Sequence, residues 1–279
     1  MNQSEGTRVR PNIKVPDRYT GILILVTVGL IIVMAYKLFL QDTPPLIWDA
    51  ATHFTDSVRY YFAIVQFNLP YINRYWPPLG SLFPLPAYAI FGVSPQIGTF
   101  AENGLSIVIL VFALYKLSKY FGKIAAVAST FIVLTAPIIL DQSITFMIDI
   151  LLTATVMMTW YLLMESKGLS RRKYTVLEAV FFGLGLLAKW TFVLFVLVVL
   201  LYELAIAFGL EAKGHMVKLK HNMKAVENLA LFEIVATFVA GWWYIPNLKI
   251  LLNLVLYNSS VSGAIEGDPP VFTVQSTLY

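Results

Sequence analysis

Cysteine and charge are what this chain of 279 residues lacks most. It has no cysteine, which excludes disulfide bonds and thiolate metal sites. Only 13% of its residues are charged and 58% are hydrophobic, whereas a soluble domain is about a quarter charged. The formal net charge of +4 is too small to indicate a nucleic-acid partner. This composition is that of an integral membrane protein.

Seven apolar stretches come close to the length of about 20 residues that a membrane-spanning helix needs. The first follows a polar tail and lacks a small-residue cleavage site, so we expect a retained helix and not a signal peptide. The fold class is therefore predicted as an all-α integral membrane protein with about seven transmembrane helices. The stretches are Tyr19–Leu40, Ile97–Leu117, Ile124–Leu140, Phe146–Met164, Tyr174–Ala188, Thr191–Gly209 and Asn228–Leu248.

Lysine and arginine indicate the orientation, since both collect in cytoplasmic loops. With seven spans, every basic cluster falls on one side, which places the N-terminus inside and the C-terminus outside. The chain then divides into a cytoplasmic tail 1–18, a transmembrane module 19–248 with an external loop 41–96, and an external segment 249–279. Within that loop, the proline-rich stretch Pro77–Gly92 is predicted to be a helix at the outer interface. The basic clusters are 8–18, 116–123, 167–173 and 213–224.

The start of the external loop has the pattern of an amphipathic helix. Asp49, His53 and Asp56 recur at helical spacing, and apolar residues from Trp48 to Val65 share the opposite side. We expect the apolar face to lie in lipid or against the spans, and the polar face to border an aqueous cleft. Periodicity alone is equally consistent with the wet side of an interfacial helix that has no chemistry.

Three further charges stand out because of their surroundings. Asp149 and Lys189 interrupt apolar stretches near the outer ends of their helices. A charge among membrane helices is costly and marks a pathway, an ion pair or a site. We expect these two side chains at similar depth, either as a simple pair or as part of a site. Arg74, in the external loop, is a candidate to bind an anion or to meet lipid headgroups.

Five short motifs, in order along the chain, resemble one family. They are WDAATHF, RYWPPLGSLFPLPAYAIFG, APIILDQSITFMID, GLGLLAKWTFVL and GWWYIPNL. The set is similar to the polytopic GT-C glycosyltransferases that use a lipid-phosphate sugar, such as the protein O-mannosyltransferases and the aminoarabinose transferases. The resemblance runs from the first span to the seventh.

The resemblance implies inverting transfer of a sugar from polyprenyl phosphate to an acceptor hydroxyl at the outer membrane face. Asp49 matches the catalytic aspartate, which would act as the base that a weakly nucleophilic hydroxyl needs. His53 would orient Asp49 or contact the sugar. Arg74 and Lys189 match contacts to the departing phosphate, which needs positive charge already in place. Asp149 matches a second aspartate that shapes the donor site.

The chain also departs from the family pattern. Ala50 follows Asp49 where many relatives have glutamate, and Ala188 stands where a threonine usually precedes the lysine. Relatives usually continue through further spans, so 249–279 either leads to the remainder of a longer enzyme or ends a naturally minimal protein that holds the seven-helix module and little else. The acidic residues leave a divalent metal open as a cofactor, through oxygen ligands, but no compact spacing demands one.

The expected partners are membrane lipid, the polyprenyl-phosphate sugar, and a protein, glycan or lipid acceptor, with no nucleic acid. The expected location is the plasma (inner) membrane with the site facing outside, or the endoplasmic reticulum membrane in a eukaryote. One alternative is a non-catalytic lipid- or sugar-binding subunit that works with a partner chain. Another alternative is a small transporter. The strongest charges cluster on one side of the membrane, and an odd number of spans gives no simple inverted repeat, so both features argue against it.

Overall fold

The computed structural model describes residues 18–41, 45–68, 76–207, 211–213, 216–218 and 223–257. Helices dominate, as the all-α prediction requires, and a short antiparallel hairpin of β1 (Glu211–Lys213) and β2 (Met216–Lys218) precedes the last helix. A 3₁₀ turn, Lys119–Phe121, follows α5. The helices are α1 (Arg18–Leu40), α2 (Trp48–Val65), α3 (Leu79–Leu82), α4 (Leu85–Phe91), α5 (Pro95–Ser118), α6 (Lys123–Thr135), α7 (Pro137–Ser143), α8 (Asp149–Ser166), α9 (Arg172–Ala188), α10 (Phe192–Ala207) and α11 (Met223–Tyr257).

Several helices are long and apolar enough to cross a membrane. Among the described residues they are Arg18–Leu40, Pro95–Phe121 and Met223–Asn253, with a fourth if α6 and α7, bent by 60°, form one span. The chain is therefore a multi-pass membrane protein. The helices α9 and α10 have 17 and 16 residues, fewer than a full span of about 20. The count of seven spans and the orientation of the termini stay predictions.

The helix α8 is the centre of the fold and packs between α5 and α9. Most of its length is buried, so it has no polar face that could serve a cleft. Its threonines satisfy their hydroxyls inside the helix: Thr155 and Thr159 each donate to the carbonyl four residues earlier, at 3.0 and 2.8 Å. Most of α8 is therefore enclosed, and its charged groups lie at its two ends, Asp149 in the first turn and Glu165 in the last.

A sharp bend separates α6 from α7 and shapes the wall beside Asp149. Pro137 starts α7, and the residue before it, Ala136, has extended backbone because the proline ring disfavours helical geometry there. The chain then turns at residues 142–145. The fully buried amide of Asn103 on α5 holds this turn: its Nδ2 lies 3.0, 3.2 and 2.9 Å from the carbonyl oxygens of Gln142, Ser143 and Thr145.

Replacing Asn103 by leucine should therefore destabilise the protein. The change keeps the approximate volume but leaves these carbonyl groups without their donor, at about 1–3 kcal/mol for each buried group left unsatisfied. The matched control is Asn247→Leu, because the buried Asn247 amide donates only to Trp243 one turn earlier in its own helix. Thermal unfolding in detergent should show the larger loss for Asn103→Leu. Equal losses in both variants would contradict this role of Asn103.

Candidate functional site

The amphipathic helix predicted from the sequence is α2, but most of its polar face is buried in the protein and not open to water. His53 and Asp56 are buried, with 6% and 2% of their surfaces exposed, whereas Trp48 on the apolar side is 86% exposed. The polar face packs on α3 and α4, which come later in the chain. The expectation that this whole face borders an aqueous cleft is wrong. Only the first turn of α2 borders an open pocket.

Polar groups of α2 find partners inside the protein. Ser57 Oγ donates to the carbonyl of Ser81 at 2.9 Å, and Arg59 Nη1 lies 3.4 Å from Asp56 Oδ1. These bonds compensate part of the cost of burying the polar face. Asp56 is consequently a structural residue.

Asp49 differs from its neighbours on the same face because it is exposed. It lies in the first turn of α2, where the helix dipole stabilises a negative charge. The residue before it, Trp48, has a φ of +50°, a left-handed conformation that costs an L-residue about 1–2 kcal/mol. None of the described residues donates a hydrogen bond to the Asp49 carboxylate. This carboxylate is thus available to an outside molecule.

A pocket with a volume of about 580 Å³ opens beside Asp49. The end of α1, residues 45–50, the first turns of α5 and residues 141–147 form its walls. Most of the lining is apolar, and its polar side chains include Asp49, Asp141, Gln96 and Gln142. Both size and character fit a ligand site, since such sites measure about 300–1,000 Å³ and carry a few polar groups.

Asp149 and Lys189 form an ion pair, with Lys189 Nζ 3.0 Å from Asp149 Oδ1. The prediction that they lie at similar depth is confirmed. Lys189 has extended backbone in the break between α9 and α10, and its amide still bonds to the carbonyl of Gly185 at 3.2 Å. The Lys189 side chain is 30% exposed and that of Asp149 39%, so the pair is accessible to a ligand.

His53 is close enough to these groups for their charges to act on its ring. Burial lowers its pKa, and the charges of Asp49, Asp56, Lys189 and Asp149 all act on its ring: the carboxylates raise the pKa and the lysine lowers it. Since burial outweighs the carboxylates, His53 is neutral at pH 7. The fold therefore brings together four of the five residues chosen from the sequence.

Arg74, the fifth, lies outside the described residues.

Two tryptophans also belong to the site, and sequence reasoning did not single them out. The ring of Trp76 lies 5.7 Å from that of His53 and 5.7 Å from that of Trp190, which follows Lys189 directly. Each lies inside one of the five sequence motifs, and that position was the signal that could have identified it. The rings meet edge to face or tilted, at 60–61°, and such aromatic pairs give rigid apolar area beside polar groups.

Glu102 on α5 is the other residue that sequence reasoning missed. It is fully buried, neither of its carboxyl oxygens has a hydrogen-bond partner among the described residues, and Asp149 is close enough to act on it electrostatically. Among the described residues, no group of three or more His, Asp or Glu side chains could hold a metal ion.

A family model of the dolichyl-phosphate-mannose-protein mannosyltransferases matches residues 76–242, more than half of the chain. The match includes Asp149 and Lys189 and begins after Asp49 and His53. No curated protein and no solved structure matches the chain.

Proposed function

The chain belongs to the dolichyl-phosphate-mannose-protein mannosyltransferase family, and from that premise we propose that it is an inverting glycosyltransferase with a polyprenyl-phosphate sugar as donor. Membership and the apolar helices make it a multi-pass membrane glycosyltransferase of the mannosyltransferase type. The donor, the acceptor and the roles of single residues belong to the proposal. In line with the family's description, we take a protein hydroxyl as the acceptor.

One observation carries the proposal: the exposed carboxylate of Asp49, which receives no hydrogen bond from the described residues, and the Lys189–Asp149 ion pair both act electrostatically on the buried ring of His53. In the proposed reaction, Asp49 takes the proton of the acceptor hydroxyl. The hydroxyl oxygen then bonds to the anomeric carbon, while the bond from that carbon to the phosphate oxygen breaks. The lipid phosphate leaves with the bonding electrons, and the anomeric configuration inverts.

The ion pair gives the departing phosphate its counter-charge. Lys189 Nζ is held in place by Asp149 at 3.0 Å, so the positive charge needs little reorganisation when the phosphate leaves. We assign Arg74 a second contact to the phosphate. Neutral His53 is suited to a hydrogen bond with a sugar hydroxyl, and the rings of Trp76 and Trp190 offer a face for the sugar.

The proposed position is the outer membrane face, with seven spans and the basic loops in the cytoplasm. The asymmetry of lysine and arginine supports this orientation. The membrane would be the plasma (inner) membrane, or the endoplasmic reticulum membrane in a eukaryote.

The test is sugar transfer by the purified protein in liposomes that contain a polyprenyl-phosphate mannose of known anomeric configuration. We expect a mannosylated acceptor peptide, and NMR of its anomeric proton should show the inverted configuration. Liposomes without protein are the control. Retention of configuration would overturn the mechanism, and an unmodified acceptor would overturn the activity.

A second candidate is a non-catalytic subunit that binds the lipid-linked sugar for a partner chain. It is favoured by Ala50, where many relatives have a second acid, and by a family match that begins after Asp49. This candidate predicts that the protein binds polyprenyl phosphate and transfers nothing until a partner chain is added.

A further inference from the structure

Among the described residues, the charged side chains that line the pocket beside Asp49 are all negative, and this limits the ligands that the pocket can bind. Two carboxylates, Asp49 and Asp141, line it, and none of its lining residues in the described ranges is lysine, arginine or histidine. No hydrogen bond or ion pair among the described residues engages the Asp141 carboxylate. An anionic group placed here would lie close to two carboxylates, with no cationic side chain in the described lining to offset them, so the donor phosphate of the proposed reaction fits beside Lys189 better than in this pocket.

One wall of the pocket is extended backbone. Residues 45–47 have no regular secondary structure, and Ile47 has φ −127° and ψ 158°. The amides of Leu46 and Ile47 donate to no group in the described part of the chain. An extended segment with unused main-chain groups can pair with another extended peptide, which supplies affinity through the backbone and leaves the choice of side chains to the pocket.

We propose that this pocket is the acceptor site, that it binds an extended peptide, and that Asp141 makes it prefer a basic residue next to the acceptor serine or threonine. The inference rests on the proposed function, because it takes Asp49 as the group that receives the proton of the hydroxyl. The apolar lining takes the body of the peptide. Asp141, in α7, lines the same pocket as Asp49 and would attract the flanking positive charge.

The experiment compares matched peptides that contain one serine flanked by lysine, by glutamine or by glutamate. Transfer from polyprenyl-phosphate mannose and binding of the fluorescent peptide without donor are both measured. An exposed ion pair changes affinity only about two- to five-fold, so the attraction of lysine and the repulsion of glutamate together should separate the two peptides by about ten-fold. The difference should appear in KM with kcat nearly constant, and should shrink in high salt.

Asp141→Asn should reduce this preference about three-fold, and Asp141→Lys should reverse it. The control variant is Glu227→Gln, since Glu227 is exposed on α11 and does not line the pocket. It should leave the preference unchanged. A preference that survives Asp141→Lys, or that Glu227→Gln alters equally, would overturn the assignment of Asp141.

The two readouts separate this inference from the proposed function. Lysine-dependent binding that needs Asp141, without any transfer, would support the acceptor pocket and refute catalysis. Transfer with equal efficiency to all three peptides would support catalysis and refute the charge preference. Transfer to a hydroxyl-bearing lipid and to none of the peptides would refute the peptide as occupant.

Discussion

Asp49→Asn is expected to abolish sugar transfer while the protein stays folded and inserted. The amide cannot accept the proton of the acceptor hydroxyl, and removing a general base costs about 10²- to 10⁴-fold in rate. Folding should be nearly unaffected, because the Asp49 side chain is exposed and none of the described residues donates a hydrogen bond to it. Transfer is measured in liposomes, and thermal unfolding is measured in detergent.

Asp56→Asn is the matched control, with the same change two turns along the same helix. Asp56 is buried, with 2% of its surface exposed, and it pairs with Arg59. We therefore expect a lower melting temperature with the rate per folded molecule largely kept, since the change disturbs the hydrogen bonding of a buried carboxylate, whose partner Arg59 is 66% exposed. Unchanged turnover in Asp49→Asn would rule out Asp49 as the base. Equal loss of turnover in both variants would mean that α2 acts only as a support.

Lys189→Met should have the second largest effect, a fall in kcat/KM of about 10²- to 10³-fold. The variant removes the positive charge that stabilises the departing phosphate. Removing a group that is positioned toward developing charge typically slows a reaction by a factor of this size. The effect on stability should be about 1 kcal/mol or less, because both partners are about a third exposed and such pairs contribute little. Lys189→Arg should retain part of the activity.

The variant Asp149→Asn distinguishes a catalytic lysine from a merely structural pair. If the pair only holds α8 to the start of α10, the double variant Asp149→Asn/Lys189→Met removes both charges and should recover activity. If Lys189 serves the phosphate, the double variant stays as inactive as Lys189→Met, and Asp149→Asn alone changes the KM for the donor. A full recovery in the double variant would contradict the proposed role of Lys189.

Much of the local structure could be predicted from the sequence because it depends on neighbours within a few turns. The low charge and the apolar stretches indicated a helical membrane protein. The spacing of Asp49, His53 and Asp56 placed them correctly on one helical face, because that spacing reflects the period of 3.6 residues. The first span was predicted as Tyr19–Leu40, and the helix is Arg18–Leu40. The third was predicted as one stretch, but Pro137 divides it into α6 and α7.

Other features depended on parts of the chain far apart in sequence. Periodicity tells which residues of α2 share a face, but α3 and α4, which lie 20–40 residues later, decided that His53 and Asp56 are buried while Asp49 remains open. Glu102, Trp76 and Trp190 gave no periodic signal, because their surroundings are assembled from several helices.

The sequence by itself determined that this is a helical membrane protein, which residues carry charge in apolar surroundings, and which family it belongs to. Composition, period and motif order are properties of the chain alone. Only the tertiary structure decided that Asp149 pairs with Lys189 across 40 residues, that the charges of this pair and of Asp49 all act on His53, and that a pocket whose described lining holds no cationic side chain opens beside Asp49. Those facts depend on which helices pack together, and packing is decided by the shapes and partners of all the faces at once.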